Sequence, residues 1–336
     1  MEVQGKVQRV TLDKVSQDKA VSVIQRLPAS LSQVLALLPG DVLARVEEIR
    51  LRQGKPLMVR CDSVEQFVNY GSISDSSDRA YRVTLEDVQR TVQVLTGSSL
   101  YACEEELRQG FLTISGGHRV GLTGSVVVRE GRVETLREIT GLNIRIAREF
   151  PDVGLTLVPR LLRERSRQIA HTLIISPPGC GKTTLLRDLI RLVSNGVPHL
   201  KLAGRTVGVV DERSELAGGF QGIAQLDVGV RTDVLSGCPK AEGMMMLLRA
   251  MGPEVIAADE IGSVADIAAL EEVLNGGVTI LTTIHGSSLE DLWLRPGSRA
   301  LLEMGVFEKA VVLSRNKGVG TIEQVIDLQT VKNKGG

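Results

Sequence analysis

The run Ser176-Pro177-Pro178-Gly179-Cys180-Gly181-Lys182-Thr183-Thr184 carries the residue types and spacing of a phosphate cradle. Its glycines let successive backbone N–H groups curl around an anion without Cβ clashes. A helix opening at the same point adds partial positive charge. Leu173-Ile174-Ile175 ahead of the run is apolar enough for a buried strand, and Leu185, Leu186, Leu189, Ile190 and Val193 behind it recur at helical spacing. Strand, glycine-rich loop and helix are the setting in which such a loop binds a nucleotide. Pro178, Gly179, Cys180, Gly181, Lys182, Thr183 and Thr184 then line the phosphates of a nucleoside triphosphate, with Lys182 on the β/γ-phosphates and the Thr183 hydroxyl on Mg²⁺. The pattern asks for glycine at its first position, where this chain has Ser176. The competing reading is a Gly/Pro turn followed by a helix with a solvated lysine.

Acids follow at matching positions downstream. Val255-Ile256-Ala257-Ala258 is a strand-like run ending in Asp259-Glu260, the form of a Walker B element. Asp259 is expected to hold Mg²⁺ through water, and Glu260 to act as general base on the attacking water. Val207-Gly208-Val209-Val210 ends in Asp211-Glu212-Arg213-Ser214-Glu215. As a neighbour of the P-loop strand it would bring Glu212 and Glu215 to the γ-phosphate, to position water or Mg²⁺. The alternative is a local acid–Arg network that caps the strand. Val278 to Ile284 leads into His285-Gly286, placing Thr282 or Thr283 as a γ-phosphate sensor and His285 as a coupling residue, or His285 as a plain structural side chain. Arg213, Arg231 and Arg249 are candidates to stabilise charge on the transferring phosphoryl group, in cis or across a subunit boundary. The Met244-Met245-Met246 run reads as helix packing into the core.

The elements that must position these residues fall into two parts. The 336 residues suggest about two domains. Residues 1–150 read as a mixed α/β domain. Its helices are expected near Leu31–Leu38, Val42–Val46 and after the Thr84 cap, its strands at Glu48–Arg52 and Leu57–Val59, and an antiparallel meander between Phe111 and Ala147. The boundary is expected at Phe150–Gly154. Residues 151–336 alternate apolar runs (172–175, 207–210, 255–258, 279–284, 310–313) with helical stretches, which predicts a mostly parallel sheet flanked by helices. Lys332–Gly336 is expected to fray.

Composition excludes several classes. Lys+Arg and Asp+Glu balance at 40 each, and aromatics make up 3%, so no global electrostatic footprint for nucleic acid is supplied and stacking platforms are scarce, which leaves only a local basic patch open. Gly121-Leu122-Thr123-Gly124 has only the outline of a phosphate clamp for RNA. Cys61, Cys103, Cys180 and Cys238 are scattered, which fits neither a disulfide framework nor a zinc site. Met1–Lys6 lacks the apolar segment of a signal peptide, and no run of about 18 apolar residues marks a membrane span. Membrane contact is therefore expected only through a partner.

The order of P-loop, acid box (Asp211–Glu215), Leu247–Glu254 leading into Walker B, and Thr282-Thr283-Ile284-His285-Gly286 resembles the secretion ATPases of type II and type IV systems and type IV pili. Glu47–Pro56 resembles the N-terminal domain motif of that superfamily. Ser99–Phe111, Gly116–Gly121 and Leu142–Arg148 resemble the stage III sporulation protein AA family within it, and the likeness runs from about Glu47 to Leu328. The resemblance implies a RecA-like ATPase domain, a homo-hexameric motor with the acid and His boxes around the nucleotide, and a cytosolic place in the mother cell. It also implies partners among the membrane components of a channel to the forespore. Asp259 departs from the glycine that often precedes the Walker B glutamate in secretion ATPases, and so resembles ordinary P-loop ATPases.

Overall fold

The computed structural model describes residues 14–97 and 103–329. The Ser99–Ala102 part of the family-like segment and the tail from Lys332 lie outside the described residues. The chain divides into two compact units, 1–148 and 149–336.

In the first unit seven strands form one antiparallel sheet. They are β1 (Val46–Arg52), β2 (Met58–Cys61), β3 (Val64–Asn69), β4 (Ser72–Ser74), β5 (Phe111–Ile114), β6 (His118–Arg129) and β7 (Arg132–Arg145). The order is β4-β3-β2-β1-β7-β6-β5, so two meanders join where β1 pairs with β7, Ile49 opposite Ile144. The helix Leu85–Leu95 starts at a reciprocal cap. Thr84 Oγ1 accepts the Asp87 N–H at 3.0 Å, and the Asp87 carboxylate accepts the Thr84 N–H at 2.8 Å. Leu31, Leu35, Ile49, Leu51, Leu57, Leu112 and Ile144 make the centre of the core, each less than 2% exposed. Gly121–Gly124 is not a clamp loop. It lies inside β6, at a bulge, where a Cβ on Gly124 would sit 2.6 Å from the Glu138 carbonyl.

The second unit holds β8 (Thr172–Ser176), β9 (Val207–Asp211), β10 (Thr232–Ser236), β11 (Val255–Ala258), β12 (Thr279–His285), β13 (Lys309–Ser314) and β14 (Thr321–Asp327). Their order is β10-β9-β11-β12-β8-β13-β14. All pairs are parallel except β13 with β14. Every residue of β8, β9 and β11 is buried, as expected for a sheet covered on both faces. One cluster, including Leu186, Leu189, Ile190 and Val193 of the helix Lys182–Asn195, packs on one face. A second, including Met244, Leu247, Leu270 and Val273, belongs to the other. Met246 is exposed, so only part of the methionine run reaches the core.

The topology corrects one expectation. β9 does not neighbour the P-loop strand β8, whose partners are β12 and β13. It pairs with β11, and both β11 and β12 lie between it and β8. Parallel pairing still brings the ends of β8, β9, β11 and β12 to one edge of the sheet, where open α/β sheets bind their ligands.

Candidate nucleotide site

β8 delivers the loop Pro177–Gly181, and the helix Lys182–Asn195 opens directly from it. Gly179 and Gly181 have φ of 70° and 88°, left-handed values that a residue with a Cβ adopts only under strain. Ser176 has no such φ. It is the buried last residue of β8, and its hydroxyl donates to the Pro177 carbonyl at 2.9 Å. A glycine is therefore not required at that point. Pro178, Cys180 and Thr184 complete the turn and the first helical residues, with Cys180 buried.

Thr183 Oγ1 donates to Asp259 Oδ2 at 2.6 Å, tying the P-loop helix to the end of β11. Thr283, wholly buried on β12, donates to the other Asp259 oxygen and accepts the Glu260 N–H at 2.9 Å. Thr282 donates to the Ala258 carbonyl at 2.7 Å. Both hydroxyls are thus committed to β11 and its end. Thr283 fixes Asp259 and Glu260 relative to β12.

Glu260 is the hub. Its φ of 56° is left-handed, a conformation that costs a non-glycine residue about 1–2 kcal/mol. Its Oε1 lies 2.6 Å from Lys182 Nζ and 2.9 Å from His285 Nε2, and its Oε2 lies 3.5 Å from Arg213 Nη1. Burial pushes the Glu260 carboxyl up, but the Lys182 bond and the charges of Lys182, His285 and Arg213 outweigh it and hold it below its ordinary range. The group stays ionised at neutral pH, as a base must.

A small cleft brings the acid box to Asp259 and Glu260. Glu212 is paired with Lys240. Asp211, buried at the end of β9, accepts the N–H groups of Glu215, Leu216 and Ala217 at 2.8, 3.1 and 2.8 Å. Arg187, from the P-loop helix, donates to the Glu215 and Leu216 carbonyls at 2.6 and 2.5 Å. Burial raises the Asp211 carboxyl above its ordinary range, opposed by those three N–H bonds and by Arg187. So Glu212 and Glu215 stand on a turn held from two sides. Arg187 and Lys240 were not singled out by motif, because their roles depend on contacts between distant segments, and Asp211, named within the acid box, was given no role of its own.

The three candidate arginines part company. Arg213 is at the site through Glu260. Arg231 precedes β10, at the opposite end of the sheet, where its Nη1 donates to the Ser194 carbonyl at 2.9 Å. Arg249 is exposed in the last turn of the helix Lys240–Ala250, just ahead of the start of β11, also at that far end. Within one chain neither of the last two is brought to the cradle.

The oxygen pair of Thr183 and Asp259 suits a hard cation, and Mg²⁺ is usually held by one or two such groups with water and phosphate. Among the described residues no cluster of three or more His, Cys, Asp or Glu is placed to hold a metal by itself. No helix among them is long and apolar enough to cross a membrane.

The family described as sporulation stage III, protein AA, matches residues 17–332. The chain belongs to the stage III sporulation protein AA family. The stage III sporulation protein AA of Bacillus subtilis (strain 168) is 42% identical over 305 residues, which cover 91% of this chain and 94% of that protein. Among solved structures, this family member is similar to the ATPase DotB of Legionella pneumophila, with a TM-score of 0.52 and 16% identity over 84% of this chain and 74% of that one. It is also similar to the pilus retraction motor PilT with bound ADP, with a TM-score of 0.51 and 15% identity over 86% of this chain and 85% of that one. At such identities the likeness establishes the fold: a RecA-like P-loop core with an N-terminal mixed α/β domain.

Proposed function

We propose that this chain is a Mg²⁺-dependent ATPase motor that energises a membrane channel or secretion complex between mother cell and forespore. The observation that carries the enzymatic part is the convergence of Lys182, Thr183, Asp259, Glu260 and His285 at one end of β8, β11 and β12. Phosphoryl transfer needs positioning and charge stabilisation rather than covalent catalysis by the protein. This arrangement supplies both.

The loop Pro178–Thr184 wraps the phosphates of ATP with backbone N–H groups. Lys182 exchanges its 2.6 Å bond to Glu260 for the phosphate oxygens. That exchange releases Glu260 to accept a proton from the attacking water, while His285 at 2.9 Å keeps its carboxylate oriented. Glu212 and Glu215, on the braced turn, border the same space, and Arg213 stands ready to meet developing charge. Bound Mg²⁺ supplies neutralisation of the β- and γ-phosphate oxygens, and Thr183 and Asp259 are the residues that would hold it.

The motor and its setting rest on the family. We infer a homo-hexamer whose N-terminal domain, residues 1–150, faces neighbouring subunits and membrane components of the stage III sporulation channel, and whose residues 151–336 hydrolyse ATP. The chain would work in the cytoplasm, recruited to the inner face of the mother-cell membrane through those components. Single-stranded nucleic acid as the substrate track is the second reading, and the place of Gly121–Gly124 inside strand β6, rather than in a loop, removes its one motif. Lys182→Ala tests the enzymatic claim: ATP binding and turnover should be lost, and unchanged hydrolysis would remove the P-loop assignment.

A further inference from the structure

The flank of the P-loop opposite Glu260 is closed by an element that carries no nucleotide motif. β13 pairs with β8 on the side away from β12, and the β13–β14 turn therefore emerges at the same edge as the loop Pro177–Gly181. The tip is pinned there. The Gly320 N–H donates to the Cys180 carbonyl at 3.0 Å. A Cβ on Gly181 would lie 3.2 Å from Val319 Cγ1 and 3.3 Å from the Gly320 nitrogen, so the two segments are in van der Waals contact.

The turn is also braced within itself. The Gly318 N–H donates to the Arg315 carbonyl at 3.0 Å, and the Asn316 N–H donates to Ser314 Oγ at 3.0 Å. Asn316 Nδ2 reaches Glu323 at 2.8 Å, and Ser314 bonds the same carboxylate. Glu323 is thereby used by its neighbours. Among the described residues the exposed Arg315 side chain makes no hydrogen bond or ion pair, yet its Nη2 and Cζ lie 3.5 and 3.6 Å from where a Cβ on Gly179 would be. An unpaired guanidinium thus lies against the glycine of the candidate phosphate cradle.

Three cations around the loop are committed. Lys182 and Arg213 face Glu260, and Arg187 is engaged with carbonyls of the acid-box turn. We propose that Arg315 is a nucleotide-contacting residue acting in cis, which binds the α- and β-phosphates from the flank opposite the general base. This rests on the nucleotide reading above. A guanidinium fork matches two phosphate oxygens at once and gives a charge-assisted pair. Glu260 marks the end where the γ-phosphate is attacked, so a group on the opposite flank meets the part of the nucleotide that ATP and ADP share. Its contribution is to binding in ground state and transition state alike, which sets KM and leaves kcat nearly unchanged.

The test is the dissociation constant of ADP and of a non-hydrolysable ATP analogue for the full chain, by titration calorimetry, with kcat and KM for ATP. Wild type is compared with Arg315→Ala, Arg315→Gln, Lys317→Ala on the same turn, and Lys182→Ala. The expected result is a loss of about tenfold or more in affinity for both nucleotides with either Arg315 variant. KM should rise in parallel, kcat should stay within about twofold, and Lys317→Ala should match wild type. Arg315 variants that bind as wild type does, while Lys182→Ala abolishes binding, would overturn the assignment and leave the nucleotide site standing. A wild-type chain that binds neither nucleotide would overturn both.

Discussion

Thr283 is the residue whose replacement tests the geometry of the site most sharply. It is wholly buried, donates to Asp259 and accepts the Glu260 N–H at 2.9 Å. Thr283→Val keeps the volume and shape but removes both bonds. The Glu260 N–H then loses its acceptor in a poorly solvated position, which costs about 1–3 kcal/mol. Asp259 also loses a charge-assisted bond but keeps Thr183 at 2.6 Å, so its share is the smaller. The left-handed φ of 56° at Glu260 is no longer anchored, and the residue can relax away from Lys182. The expected stability loss is about 2 kcal/mol, equivalent to a shift of roughly 1 M in urea midpoint. Turnover should fall tenfold or more, since each ~1.4 kcal/mol of misplaced base costs a factor of ten. Thr283→Ser is the control. It keeps the hydroxyl and loses one buried methyl, about 1 kcal/mol, with turnover near wild type. The assays are urea unfolding and steady-state ATP hydrolysis on both variants. If Val and Ser variants hydrolyse ATP equally well, the hydroxyl does not position the Walker B acids, and the argument from this network is wrong.

Glu260→Gln should retain ATP binding while turnover drops by orders of magnitude, measured by binding of the fluorescent nucleotide and by phosphate release; surviving turnover would move the base to Glu212 or Glu215. Asp211→Ala removes the acceptor of three N–H groups and should destabilise the second unit by roughly 3 kcal/mol. Its hydrolysis should fall even where the chain remains folded, because the turn bearing Glu212 and Glu215 is released. Unfolding and activity matching wild type would show that the turn is held by Arg187 alone.

The parts of the molecule set by local pattern were legible before the structure. The P-loop and its helix, the Thr84 cap and the apolar strands β8, β9, β11, β12 and β13 each follow from neighbouring residues. The edge strands were not. β10 and β14 are half-buried and mixed in polarity, and neither shows a clean period of two. The outer part of β7, residues 132–141, is largely solvated on both faces, and only its inner end reads as a strand. Strand order also escapes sequence, which is why β9 was expected beside β8. At the site, residue type suggested chemistry but not direction. Thr283 turned inward to the acids, Arg231 turned to a helix end, and Arg315 reached the loop through a pairing that no motif marks.

The central claim is an ATP-hydrolysing motor whose sites work in an assembly of subunits. The most direct measurement is the specific rate of ATP hydrolysis by the purified chain across a range of protein concentrations, with and without single-stranded DNA, beside Lys182→Ala. The account predicts a specific activity that rises with concentration, ignores DNA and vanishes in the variant. Activity independent of concentration and strongly stimulated by DNA would contradict it, as would hydrolysis that survives the loss of Lys182.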